Sequence, residues 1–129
     1  IRSDCSSAEP TRRYVQQAEA FIRANYARRL SVPEIGGAVC VNPIYLNRIF
    51  KAATGRTLSD TLNGYRSEKA RELLLREPDM AIEAISDACG FSEARSFARF
   101  FLKYYGESPS RYRRRMTREG ERLETDARP

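Results

Sequence analysis

Read as helices, residues 43–54 carry Ile44, Asn47, Arg48 and Lys51 on one face, at spacings i, i+3, i+4 and i+7. Residues 94–105 carry Arg95, Ala98, Arg99 and Leu102 in the same way. The opposite faces, Leu46, Ile49, Phe50 and Ala53 in the first and Phe97, Phe100, Phe101 and Tyr104 in the second, are the ones that must pack inward. An arginine fork donates two hydrogen bonds to the O6 and N7 of guanine, and an asparagine such as Asn47 pairs with adenine in the same manner. Leu102 could touch a thymine methyl, but half-buried packing is the better reading of a leucine there. This is recognition chemistry rather than bond-making chemistry. The chain has no histidine, which removes Ser-His and Cys-His nucleophile pairs. Cys5, Cys40 and Cys89 are odd in number and widely spaced, which argues against a disulfide framework and against a zinc site. The phosphate loop GxxxxGK[ST] is absent, and the carboxylate pairs Glu68/Glu72 and Glu83/Asp87 are what solvated helix faces ordinarily carry. No cofactor or metal is implied, and the chain is not read as an enzyme.

The net charge suggests a polyanionic partner, but its distribution matters more than its sum. Lys and Arg number 23 against 17 Asp and Glu, for a net charge of +6 over 129 residues. The excess lies at the ends, because residues 31–110 hold ten charges of each sign. That neutral middle is nevertheless sorted. Ile35 to Ser59 contains no acid but holds Arg48, Lys51 and Arg56, and Ala94 to Gly106 contains no acid but holds Arg95, Arg99 and Lys103. The acids gather in Glu68, Glu72, Glu77, Asp79, Glu83 and Asp87. Two cationic faces on a neutral body fit a nucleic-acid reader, and taken alone they fit solvated helix faces equally well.

The elements that must position these faces are all helical. Residues 1–10 read as linker, closed by Pro10, and Thr11 as the cap of a first helix built on Tyr14, Ala18, Phe21, Ile22 and Tyr26. Ser31 opens a short helix, with Pro33 in its first turn and Glu34 completing a capping box. Asn42 caps the next, with Pro43 at its first position and Gly55 as its stop. Thr57 starts a long helix to about Arg76, ended by Glu77-Pro78. Asp79 is expected to cap a fifth helix that stops at Gly90, and Ser92 a sixth that stops at Gly106. Pro109 opens a short seventh, and beyond Met116 an Arg/Glu-rich tail is expected. No run approaches 18 apolar residues, so no membrane span is expected. A reduced, cytoplasmic protein of one domain or two very small ones fits, and the opening Ile1 reads as a piece cut from a longer chain.

An internal repeat organises these helices. Shifted by 50 residues, Ile35, Ala38, Val41 and Asn42 fall on Ile85, Ala88, Phe91 and Ser92. With one extra residue in the second copy, Leu46, Arg48, Phe50 and Gly55 fall on Phe97, Arg99, Phe101 and Gly106. A short helix, a tight turn and an outward-facing second helix make a helix-turn-helix, whose second helix enters a major groove. Cys40 and Cys89 lie at the turn of each copy, where small apolar groups pack; packing is the better reading, with redox sensing the alternative. Residues 58–76 would span roughly 28 Å at about 1.5 Å per residue. Successive major-groove faces lie about 34 Å apart, so such a rod could serve two readers on one side of a duplex.

At these residues the chain resembles the DNA-binding domain of the AraC/XylS family of bacterial transcription regulators. The likeness runs from about Tyr14 to Arg113. It is carried by Tyr45-Leu46, Arg48, Phe50-Lys51 and Gly55, by Tyr65-Arg66, Lys69-Ala70 and Leu73-Leu74, and above all by Gly90-Phe91-Ser92, Phe97-Ala98-Arg99, Phe101, Lys103, Gly106, Ser108-Pro109-Ser110 and Tyr112-Arg113. The resemblance implies an all-α fold of seven helices, with two helix-turn-helix subdomains joined by a long linking helix. It implies monomeric reading of two consecutive major grooves. Base contacts are then expected from Ile44, Asn47 and Arg48, with Lys51 on the same face, and from Ala94, Arg95 and Arg99. Ser96 and Lys103 would lie near phosphates, together with the helix N-termini.

This gives a linker over residues 1–11 from a missing N-terminal domain, and a DNA-binding domain over 12–115. Within it lie a first helix-turn-helix at about 32–53, the linking helix at 58–76 and a second helix-turn-helix at about 80–105. A flexible tail is expected over 116–129. The expected function is sequence-specific binding of double-stranded DNA at an asymmetric promoter site, in a transcription regulator expected to be an activator. RNA polymerase would be a further partner, and effector binding and dimerisation would belong to the missing domain. Three departures from the family pattern stand out. Gly36-Gly37 replaces helix-favouring residues and costs about 1–2 kcal/mol of local helix stability. Pro43-Ile44 leaves the first reader poor in hydrogen-bonding groups, and Leu102 stands where lysine is common. A helical protein-interaction module without DNA readout is the alternative reading, but it leaves two repeated Arg-bearing faces unexplained. A duplex RNA major groove is too narrow for a helix. The run Arg113-Arg114-Arg115 fits nonspecific phosphate attraction or a solvated tail equally.

Overall fold

The computed structural model describes the backbone of residues 2–127 and the side chains of residues 11–119. Ile1, Arg128, Pro129 and the side chain of Cys5 lie outside the described residues, as do the outer ends of the expected linker and tail. The described residues form α1 (Arg2–Asn25), α2 (Val32–Val39), α3 (Pro43–Thr54), α4 (Leu58–Arg76), α5 (Ile82–Ala88), α6 (Ala94–Tyr105) and α7 (Pro109–Ala127), with no strand among them. The chain divides into two compact units, one ending at Tyr65 and the other starting at Arg66.

Each unit has its own core. In the first, Val15, Ala18 and Ile22 of α1 meet Ile35 and Val39 of α2, Leu46 and Phe50 of α3, and Leu58 and Leu62 of α4. Tyr26 closes its edge against the Tyr65 ring, with centroids 5.1 Å apart. In the second, Ala70 and Leu74 of α4 meet Ile85 and Cys89, then Phe91, Phe97 and Phe101, and finally Tyr112 of α7. The Phe101 ring stands edge-on to both Phe97 (5.7 Å) and Tyr112 (5.4 Å). Such pairs add about 0.5–1.5 kcal/mol each beyond the area they bury. The Arg71 guanidinium lies 5.5 Å over the Tyr105 ring, and its hydrogen bond to Tyr112 raises its pKa. Arg113 of α7 donates to the Leu74 carbonyl (3.3 Å), an acceptor that the end of α4 leaves open because Pro78 has no N–H, and to the Glu77 carbonyl just beyond it (3.2 Å), which also accepts from Met80.

The helix limits agree with most of the expected caps. Ser31 Oγ accepts from the Glu34 N–H at 3.3 Å, Asn42 Oδ1 from the Ile44 and Tyr45 N–H groups, and Thr57 Oγ1 from the Asp60 N–H. Gly55 and Gly106 end α3 and α6 at φ of 82° and 78°.

Five expectations are corrected. The helix expected to begin at Thr11 begins at Arg2, so Pro10 lies within it rather than before it, although proline is unfavourable inside a helix. The short last helix runs on to Ala127, because a polar stretch of good helix formers is held by pairs such as Arg115–Glu119 at 3.3 Å. Asp79 does not cap α5, since the Met80 N–H bonds back to the Glu77 carbonyl and closes a turn around it; Ala81 precedes the helix instead. Ser92 does not cap α6, because the extra residue of the second copy lengthens the turn and puts Glu93 at the cap position. The capping box at Ser31 is half-made, since the Glu34 carboxylate turns to Arg28 at 2.8 Å.

Candidate nucleic-acid interface

The two copies share a backbone frame bond for bond. The Ile35 N–H donates to Ser31 O and the Val41 N–H to Gly36 O (3.1 and 2.9 Å); their counterparts are Ile85 to Ala81 and Phe91 to Ser86, both 3.0 Å. The second helices match as well. Leu46 donates to Asn42 and Gly55 to Lys51, as Phe97 donates to Glu93 and Gly106 to Leu102. The buried pair Leu46 and Phe50 becomes Phe97 and Phe101. With the inward register fixed, the outward register is fixed too. Arg48 in α3 and Arg99 in α6 occupy the same place in their units and are both exposed.

The turns explain two sequence oddities. Gly36 is buried, and a Cβ there would lie 2.8 Å from Val41 O and 2.9 Å from Pro43 Cγ. The glycine and the proline are therefore one feature: the Pro43 ring occupies the space that a side chain at 36 would need. Gly37 has nothing within 4 Å of such a Cβ, so only this second glycine is a simple loss of helix propensity. Cys40 corrects an expectation. It is exposed rather than packed, and it holds the left-handed conformation at φ 63°, the place that Gly90 takes at φ 89° in the second copy. Cys89 is buried as expected, and burial pushes its thiol up to about 11, where it is unreactive.

The expected contact residues fall on these outward faces with one exception, Asn47. Ile44 is 82% exposed at the start of α3, and Lys51 is exposed one helical repeat along. The Arg48 guanidinium lies 5.4 Å over the Tyr45 ring, itself exposed and overlooked in the sequence. Arg95, Arg99 and Lys103 are exposed on α6, with Ala94 and Ser96 half-buried beside them. Arg99 rests on Phe100 at 5.2 Å and Lys103 on Tyr104 at 5.6 Å, so each cation is steadied by an aromatic neighbour. Leu102, expected to be half-buried, is 54% exposed. Ala53, expected to pack inward, is exposed, because α3 has outrun its core by its last turn.

Asn47 is the exception. It is half-buried, and its Oδ1 accepts from the Leu58 N–H at 2.9 Å, adding to Thr57 at the start of α4. An adenine pair needs that same acceptor. The two first turns also differ. Asn42 takes up the Ile44 and Tyr45 amides of α3, whereas Glu93 makes no side-chain bond to those of α6. On α7, Arg111, Arg114, Arg115 and Arg118 line an open depression with Ser108 and Ser110. Their i, i+3, i+4, i+7 spacing is the signal that could have revealed this surface in the sequence. Arg115 is neutralised in part by Glu107 at 2.7 Å.

Among the described residues no His/Cys/Asp/Glu group could hold a metal, and no helix is long and apolar enough to cross a membrane. A family model described as a helix-turn-helix domain matches residues 35–115, which span both copies of the motif. The chain belongs to the AraC-type helix-turn-helix family. The AraC-type likeness extends beyond that match. The Msm operon regulatory protein of Streptococcus mutans is 31% identical over 108 residues, 84% of this chain and 38% of its own length. The C-terminal domain of AraT, a response regulator from Geobacillus stearothermophilus, superposes with a TM-score of 0.74 at 31% identity, covering 78% of this chain and 84% of that one. A probable AraC family transcriptional regulator from Rhodopseudomonas palustris gives 0.72 at 25% identity, over 80% and 96%. The family and these relatives are transcription regulators, not enzymes. The chain spans 40% or less of the length of the curated relatives it matches first.

Proposed function

We propose that this AraC-type domain binds a specific, asymmetric site on double-stranded DNA by placing α3 and α6 in consecutive major grooves. The observation that carries the reading is the repeated frame. Two copies of one hydrogen-bonded turn each present an acid-free helix with an arginine at the same outward register. Arg48 reads guanine in the first half-site, with Ile44 against a base and Lys51 toward phosphate. Arg95 and Arg99 read the second, alongside Ala94, while Ser96, Lys103 and the uncapped first turn of α6 hold phosphates. Asn47 contributes a donor only, because its acceptor is committed to α4. Since the two faces differ in residues, the site is not a palindrome. The full regulator acts in the cytoplasm as an activator, touches RNA polymerase, and senses its effector or dimerises through a further domain.

Binding to duplexes selected from a random pool, measured as salt is varied, tests the reading. Several phosphate contacts make affinity fall steeply and linearly on a log–log plot, by about a thousandfold or more between 50 and 200 mM salt. Selected sites should cover about two helical turns and lack two-fold symmetry. Salt-independent association, or none, would overturn the DNA reading in favour of a protein-docking module.

A further inference from the structure

One large apolar side chain stands out on the first outward face. Ile44 is 82% exposed, on a helix whose other outward groups are cationic or polar. It is not isolated. Val32, Pro33 and Pro43 lie beside it along one open depression, and Asn47, Arg48, Lys51 and Thr57 continue the same depression. One end is therefore hydrocarbon and the other carries two cations. No acidic residue occurs between Ile35 and Ser59, and the nearer acid, Glu34, is paired with Arg28 at 2.8 Å.

An apolar partner protein would be favoured by the hydrocarbon end alone, but the adjoining cations select a partner that carries negative charge next to a small apolar group. In the major groove that combination is the thymine C5-methyl with the phosphates beside it. Position matters as well. Ile44 lies in the first turn of α3, and the N-terminal residues of a recognition helix are the ones that reach base edges. The Asn42 side chain takes up the Ile44 and Tyr45 amides at 2.9 and 3.2 Å, which fixes this turn and the direction of the isoleucine. The lack of hydrogen-bonding groups at Pro43-Ile44 then becomes a selection for carbon, not a gap in readout.

Resting on the DNA reading above, we infer that Ile44, with the apolar rim of Val32 and Pro43, is the specificity determinant for one thymine methyl in the first half-site. The experiment takes a duplex selected by the full chain and replaces each thymine in turn by deoxyuridine, which deletes only the methyl. At one thymine, within the half-site whose discrimination depends on Arg48, the replacement should weaken binding about fourfold, the effect of exposing one buried methyl group. Ile44→Ala should bind the thymine duplex weaker by a similar factor and should be indifferent to that replacement. Its melting temperature should match the parent's, because the side chain is mostly in solvent. Equal affinity of the parent for thymine and deoxyuridine at every position would overturn the inference while leaving DNA binding intact. So would a deoxyuridine penalty that persists in Ile44→Ala. Absence of salt-dependent binding to any selected duplex would remove the DNA reading and this inference together.

Discussion

Single residues carry two kinds of information in this chain, and Cys40 shows how they separate. Its type suggests packing or redox chemistry, yet its backbone stands at φ 63°, where only glycine is comfortable. An L-residue in that region costs about 1–2 kcal/mol, and glycine there recovers most of it at some cost in unfolded-state entropy. Cys40→Gly should therefore raise stability by about 0.5–1 kcal/mol, read as a higher midpoint in urea with an unchanged slope. DNA affinity should be unaltered. Gly90 at the equivalent turn is the internal control, so Gly90→Cys should lower stability by a comparable amount. Arg48 and Arg99 were legible as outward groups because Leu46/Phe50 and Phe97/Phe101 fix the inward register. The Cys40 conformation was not legible, because no cysteine signals a left-handed turn. Nor was the Asn47–Leu58 bond, which joins residues eleven positions apart through a side chain whose type suggests base recognition equally well.

At the scale of elements, the first helix-turn-helix is built around a tight approach of α2 to the start of α3. Gly36→Ala would drive a Cβ onto a backbone oxygen and a proline ring, neither of which can rotate away. It should cost about 1–3 kcal/mol, whereas Gly37→Ala, with open space, should add about 0.5–1 kcal/mol. Thermal melts of the two variants should shift in opposite directions; a shared sign would refute the packing argument. The end of the chain makes a pH prediction. Hydrogen bonding to Arg115 holds the Glu107 carboxyl below its ordinary value of 4.5. The folded state thus binds this proton less readily than the unfolded chain does. Its contribution to stability is complete above the unfolded value and disappears as pH falls through the lowered folded value. A carboxyl-detected NMR titration should find Glu107 titrating late on acidification, and Arg115→Ala should return it toward 4.5. Helix order and most caps were legible from Ser31, Asn42, Thr57 and the stop glycines. Asp79 and Ser92 misled because each has the capping side chain of its turn, yet the helix starts later: the Met80 to Glu77 bond encloses Asp79, and the extra residue before α6 puts Glu93 at the cap position.

For the whole molecule, the repeat makes two readers and the substitutions make them unequal. In the first, the Asn42 side chain consumes two α3 amides and Leu58 occupies the Asn47 acceptor, so hydrogen-bonded base readout falls mainly to Arg48. In the second, the first turn of α6 has no side-chain cap, and Arg95, Arg99 and Lys103 all face outward. A good bidentate arginine–guanine pair discriminates by about 1–3 kcal/mol against the wrong base. Phosphate contacts anchor without discriminating. If the second unit positions more of the molecule's hydrogen-bonding groups, Arg99→Ala should relax base preference across more positions than Arg48→Ala. Lys51→Ala and Lys103→Ala should instead weaken all duplexes alike, each lowering the salt slope by about one. Footprints and selected-site logos for the four variants separate these outcomes. Equal loss of discrimination in Arg48→Ala and Arg99→Ala would mean that the first reader's committed groups reopen on DNA. The Asn47–Leu58 bond would then be the first contact to exchange, and Asn47→Ala would lower discrimination in the same half-site as Arg48→Ala.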